Sequence, residues 1–293
     1  MKFEEFYNKN YKKFMIIPLL ILFSSLLIIG LNYQKYGSFF QRDVSLQGGS
    51  SISIINIQNI DRQELEDYLR KEVNPDIFVR SGIDALSKAQ RLEIEAGENV
   101  NENLILEKIR AKGIELTKDN YSIKKTSAVL GESTYKEIFM SMLIAFAFMA
   151  IVVFITYRSV VPSIAVVSSA FTDIIGTIAI IDLIGIKLSL GSMASILLLI
   201  GYSVDTDILM NTKVLKRKGE GTVNQKLLSS FKTGIVMTLT SIAAVLIGYI
   251  FTNIEIFKQI FLIMIIGLVL DIFVTYLQNA SLLKWYAEKK HIE

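Results

Sequence analysis

Six stretches of the chain are apolar for long enough to cross a lipid bilayer. They run over about residues 14–33, 137–157, 162–182, 188–211, 232–252 and 257–283. A hydrocarbon core of about 30 Å is spanned by about 20 helical residues. Each stretch therefore predicts one membrane-spanning helix. Some 100 polar residues separate the first stretch from the second, and the other five follow closely. The pattern is one span (1–33 with the N-terminus), an inserted domain (34–136), five spans (137–283) and a short tail (284–293).

Inside the inserted domain the period changes. Ser51 to Ile57 alternates apolar and polar positions, as a strand does. Asp61 is placed to cap a helix running to about Glu72, with Leu65, Tyr68 and Leu69 on one face. Ile77-Phe78-Val79 predicts a short strand, and Ala89 to Ala96 alternates again. Asn99 or Asn101 caps a second helix through about Lys112, which buries Leu104, Ile105 and Ile109 and stops at Gly113. Tyr121 to Val129 closes the domain as a strand. The order β-α-β-β-α-β is that of a ferredoxin-like unit. The expected fold class is an all-α bundle of six transmembrane helices carrying an inserted α+β external domain.

Composition agrees with the pattern. Of 293 residues, 52% are hydrophobic, and the mean hydropathy is +0.45. That places the chain among membrane proteins. No small-residue cleavage site follows the first apolar run, so it predicts a span and not a removable leader. There is no cysteine and one histidine, His291 in the polar tail. A disulfide framework, a thiolate metal site and a histidine-centred active site are thereby excluded. No phosphate-cradling glycine loop occurs either. We expect no catalytic residue, no metal, no cofactor and no enzymatic activity.

Charge placement sets the topology. Lys2, Lys9, Lys12 and Lys13 precede the first span, and Arg158 follows the second. Lys213, Lys216, Arg217, Lys218, Lys226 and Lys232 follow the fourth, and Lys284, Lys289 and Lys290 follow the sixth. The two short turns on the other side carry only Lys187 and Lys258. Positive residues concentrate on the cytoplasmic side. Both termini are therefore expected in the cytoplasm of a multi-pass cell-membrane protein, with 34–136 outside. That domain carries 15 Lys or Arg against 16 Asp or Glu, a balance that argues against a nucleic-acid surface.

The candidate chemistry lies inside the spans. Asp173, Asp205, Asp207 and Asp271 fall well within them, Asp182 is at a span end, and Lys232 stands at the mouth of the fifth. A charge at the bilayer centre costs about 2.5–3.5 kcal/mol on insertion scales, and such residues mark ion or proton paths. A carboxyl that moves between dry and polar surroundings takes up a proton in one and releases it in the other. At about 100° per residue, Asp205 and Asp207 lie about 200° apart on a regular helix. Both enter one path only if the helix distorts, for which Gly201, Ser203 and Thr206 leave room. Otherwise one aspartate is functional and its neighbour a hydrogen-bonding residue of the structure. The bland alternative for the pair is a neutral acid satisfied by an adjacent helix. Small residues such as Ser168, Ser169, Ala170, Gly176, Gly191 and Ser195 read as close helix packing.

At these residues the sequence resembles the SecF type of the SecD/SecF family, within the RND superfamily of proton-driven exporters. Leu46-Gln47-Gly48-Gly49-Ser50 is similar to the family's double-glycine motif after the first span. Val129-Leu130-Gly131-Glu132 is similar to the motif leading back into the membrane. Tyr157-Arg158, Ala170-Phe171-Thr172-Asp173, Gly201 to Leu209, Asn224-Gln225 and Phe231-Lys232-Thr233 follow in the family's order. Asp205-Thr206-Asp207 has the wording of archaeal members, and Lys232 stands where many relatives have arginine. The resemblance implies an RND-like half-bundle that pairs with SecD beside the SecY/SecE channel. It implies use of the proton-motive force to draw out an emerging polypeptide, with Asp205 as the first proton-path residue. Asp207, Asp173, Lys232 and Asp271 follow it as candidates. Competing readings are a small-molecule exporter subunit of the same superfamily and a scaffold that conducts nothing.

Overall fold

The computed structural model describes residues 7, 10–36, 38–57, 60–83, 90–117, 119–216, 221–252 and 254–291. Ala89, Lys2, Lys9, Arg217 and Lys218 lie outside them. Among the described residues, six helices are long and apolar enough to cross a membrane. They contain α1 (Ile16–Tyr36), α5 (Ala128–Tyr157), α6 (Val160–Leu183), α7 (Leu190–Leu215), α8 (Val223–Phe251) and α9 (Glu255–Val274). A π-helical turn, Thr275–Asn279, joins α9 to α10 (Ala280–Lys289). The rest of the chain forms α2 (Val44–Gln47), β1 (Gly49–Ile57), α3 (Arg62–Glu72), β2 (Phe78–Ile83), β3 (Gln90–Ala96), α4 (Glu102–Ala111) and β4 (Tyr121–Thr126).

The inserted domain has the expected ferredoxin-like arrangement. Its four strands lie in the order β2-β3-β1-β4, every pair antiparallel. One face of the sheet turns Ile52, Ile54, Val79, Leu92 and Ile94 against Leu65, Leu69, Ile105 and Ile109 of the two helices. The caps are the expected ones: Asp61 accepts from the Gln63 amide and Asn101 from the Asn103 amide. Two boundaries differ from the hydrophobic pattern. β2 runs on past Val79, because its amides and carbonyls are paired with β3 through Ile83. β4 stops at Thr126, because the Ser127 side chain accepts from the Leu130 amide and starts α5 there.

The two family-like motifs flanking the domain are packed on each other. Gly48 and Gly49 have φ of +84° and +129°, which L side chains rarely adopt. A Cβ on Gly48 would collide with the backbone of Ala128, and one on Gly131 would lie 2.6 Å from the Gly48 nitrogen. Arg42 clamps the same neck. It pairs with Glu132 at 2.8 Å and lies over the Tyr135 ring.

The bundle is layered. Among the most apolar windows of each span, those of α6, α7 and the α9 span are 67, 56 and 44% buried. Those of α1, α5 and α8 are 17, 11 and 11% buried. The three inner helices also carry the polar residues. Glycine lets them approach: a Cβ on Gly176 would lie 2.5 Å from a Leu270 methyl, and Leu199 fills the space over Gly267.

Candidate functional site

α7 is a continuous helix from its capping box, Ser189 with Ser192, to Leu215. No distortion intervenes at Gly201. The 200° separation therefore holds, and Asp205 and Asp207 point to opposite sides. Asp207 is fully buried and Asp205 is exposed. Asp173 of α6 and Asp271 of α9 are buried too, at 0 and 1% exposure. Asp173, Asp207 and Asp271 thus form one cluster from three helices.

Hydroxyl and amide donors organise it. The Ser203 hydroxyl donates to Asp173 Oδ2 at 2.6 Å. Thr206 lies 3.3 Å from Asp271 Oδ2 while also bonding the Ser203 carbonyl. The Thr275 hydroxyl lies 2.9 Å from Asp207 Oδ1 and 3.1 Å from Asp271 Oδ1. Asn279 Nδ2 donates to Asp207 Oδ1 at 2.7 Å. The π turn makes this possible. At about 3.6 residues per turn, positions eight apart drift around the axis. The wider turn takes that drift back, so Asp271, Thr275 and Asn279 all face α7. Single π turns of this kind occur often at functional sites.

The cluster is not saturated. Among the described residues, Asp173 Oδ1, Asn279 Oδ1, Thr177 Oγ1 and both polar atoms of Asn211 are buried without a hydrogen-bond partner, while the Ser169 hydroxyl faces the Asp207 carboxyl. Buried polar atoms are usually paired, with protein or ordered water. They lie along the inner faces of α6, α7 and the π turn. Thr275, Asn279 and Asn211 were not legible as site residues from spacing. Ser169 belongs to the small residues that read as packing. Only their polarity within apolar runs could have drawn attention.

The remaining candidates lie elsewhere. Asp205 shares an exposed stripe of α7 with Leu198, Gly201 and Tyr202. Lys232 is exposed, and with Gln225, Leu228, Ser229 and Thr233 it lines an open cavity of about 430 Å³ at the start of α8. Beside it Lys213 donates to Ser229 and Thr233. Gly234, two residues on, turns the opposite way, toward Tyr276 and Thr206. Lys232 therefore points away from the aspartate cluster. Gly48 and Gly49 belong to the neck, and Asp182 accepts from the Gln41 amide there. Among the described residues no three His, Cys, Asp or Glu side chains are grouped so as to hold a metal ion.

Comparison with known proteins identifies the family. The family profile for "Protein export membrane protein SecD/SecF, C-terminal" matches residues 107–289. The protein-export membrane protein SecF of Methanothermobacter thermautotrophicus is 35% identical over 286 residues, covering 96% of this chain and 94% of that one. The SecF of Pyrococcus furiosus is 34% identical over 279 residues, covering 95 and 92%. The crystal structure of SecDF, a translocon-associated membrane protein from Thermus thermophilus, superposes with a TM-score of 0.73 at 15% identity. That match covers 96% of this chain and 38% of the longer SecDF chain, and at this identity it speaks for the fold. The order of motifs, the fold and the full-length relatives agree, and the chain belongs to the SecD/SecF family of protein-export membrane proteins.

Proposed function

We propose that this chain is an accessory subunit of the Sec translocase that works with a SecD partner. In this reading it uses the proton-motive force to promote the late steps of protein export. The observation that carries the reading is the meeting of Asp173, Asp207 and Asp271 inside an apolar bundle. Neighbouring carboxyls do not all ionise, because each charge disfavours the next. Such a cluster holds a proton and passes it on when the donors around it shift. Ser203, Thr206, Thr275 and Asn279 are those donors, and they sit on α7 and the π turn. A proton arriving at or leaving Asp207 thus changes how α7 packs on the last span.

The family resemblance ranks Asp205 first; the geometry supports a different assignment. A carboxylate left against lipid costs about 2.5–3.5 kcal/mol on insertion scales. We assign the Asp205 stripe to the surface covered by SecD, together with the exposed Lys232 side of α8. The lysine and arginine asymmetry supports cytoplasmic termini and an inserted domain on the outer side; in this reading that domain meets the emerging polypeptide beside SecY/SecE.

The assembly is tested by affinity purification of the tagged chain from native membranes. SecD, with SecY and SecE, is expected in the eluate. Asp205→Lys is expected to lower SecD recovery, and Asp207→Asn to leave it unchanged. A wild-type eluate without SecD contradicts the reading.

A further inference from the structure

Lys187 lies in the short turn between α6 and α7, just ahead of the Ser189 cap. Its ammonium is 3.6 Å from Glu95 Oε2, and 14% of its side chain is exposed. It also lies 4.8 Å from the centre of the Phe78 ring. Glu95 is on β3, with 4% of its side chain exposed, and its other oxygen takes Arg80 at 2.9 Å. The ion pair therefore crosses from the membrane bundle into the inserted domain. Arg80, Asp43 and Glu93 are the other charged groups facing Glu95.

Both ends of the pair are anchored. The Lys187 carbonyl accepts from Gln259 Nε2 at 2.6 Å, and Gln259 Oε1 accepts from the Ser189 hydroxyl at 2.7 Å. Lys187 is thus tied to the starts of both α7 and α9, two of the helices that carry the aspartate cluster. Glu95 sits on an interior strand between β2 and β1, so a pull there enters the middle of the sheet. A second tie runs beside it: Leu188 bonds Gln41 and Asp43, and the Leu190 amide donates to Ser45 Oγ; these bonds reach the sheet through the α2 segment ahead of β1. Burial opposes both charges, pushing the Glu95 carboxyl up and the Lys187 ammonium down. Buried charges of this kind are costly and add little stability against an apolar pair. Their value lies in fixing one geometry, because opening the gap would leave each charge unpaired.

We propose that the Lys187–Glu95 pair is a strut that makes the start of α7 and the sheet of the inserted domain move as one body. A shift of α7 at Asp207 is thereby delivered to the domain. The delivery rests on the coupling role proposed above; the strut is tested without it.

The chain has no cysteine, so two introduced ones label cleanly. Spin labels at Glu107 on α4 and Leu183 at the end of α6, both exposed, report the distance across the neck. The measurement is pulsed EPR on the full chain in lipid vesicles. Wild type is expected to give one narrow distribution. Lys187→Gln broadens it, and Lys187→Arg restores it. Lys187→Met, which keeps the apolar stem against Phe78, broadens it too and serves if the glutamine variant does not fold. Arg80→Gln cuts only the pair within the domain and leaves the distribution narrow. A narrow distribution in the folded Lys187 variants overturns the strut, as does equal broadening in Arg80→Gln. Broadening in the Lys187 variants, with export indifferent to Asp207→Asn, removes the coupling reading and leaves the strut standing.

Discussion

Ser50 closes the double-glycine motif, and its hydroxyl donates to Glu102 Oε1 at 2.5 Å. Glu102 opens α4, where the helix dipole favours a negative charge, and Lys125 pairs with it at 2.9 Å. The Ser50 bond, followed by Lys125, pulls the Glu102 carboxyl from its ordinary 4.5 down to about 2. A depressed carboxyl contributes stability above its unfolded value and loses it as pH falls toward the folded one. Glu95 has the opposite sign: burial raises it, so its contribution grows as pH falls. The Glu102 contribution therefore fades between about pH 4.5 and 2. Ser50→Ala, by releasing Glu102, is expected to lower the protection of β1 amides above pH 4.5 relative to wild type and to narrow the difference toward pH 2. Hydrogen exchange on the full chain in detergent measures this; a constant difference across that range contradicts it. At this scale the sequence carried half of the site. The angle between Asp205 and Asp207 is fixed by helical geometry and was legible. Which of the two turns inward depends on Thr275 and Asn279, which lie about 70 residues away, and no local spacing shows that.

Among the elements, the apolar runs located all six spans, because the length of a span is set by the bilayer. Their ends were less legible. α5 begins at Ala128, well before the apolar run at 137, since Ser127 supplies a cap. α8 begins at Val223 for the same reason, with Thr222 and Gln225 forming a capping box. The π turn had no signature in the sequence. It exists where Thr275 and Asn279 both reach Asp207, and that contact belongs to the packed bundle. Asn279→Leu would remove one donor from a fully buried carboxyl. Leaving a buried polar group unsatisfied costs about 1–3 kcal/mol. We expect a lower thermal unfolding midpoint for Asn279→Leu in detergent, and a smaller loss for Asn279→Ser. Equal midpoints for wild type and Asn279→Leu would show that the turn is held by apolar packing alone.

On the scale of the whole molecule, one inner layer of three helices carries the polar chemistry. The outer helices leave most of their apolar surface uncovered within the chain. The neck ties the sheet domain to the outer α5 through Gly48 against Gly131 and Arg42 with Glu132, and to the inner layer through Lys187 with Glu95. The motif glycines were visible in the sequence as a family likeness. Their physical reason, two chain segments in backbone contact, appears only when residues far apart in the chain meet. Lys187 was legible only as one of two lysines on a side otherwise poor in positive charge. Proton chemistry at Asp207 inside this chain, and assembly at Asp205 on its surface, are the two roles proposed above. The most direct test is export of a stalled polypeptide into vesicles that hold the reconstituted translocase, with and without an imposed proton gradient. Asp207→Asn should remove the gradient-dependent part, lowering it on the order of 100-fold as loss of a proton-transfer group does. Asp205→Asn, once assembled with its partner, should retain most of it. Gradient-driven export that survives Asp207→Asn and fails in assembled Asp205→Asn would contradict the account.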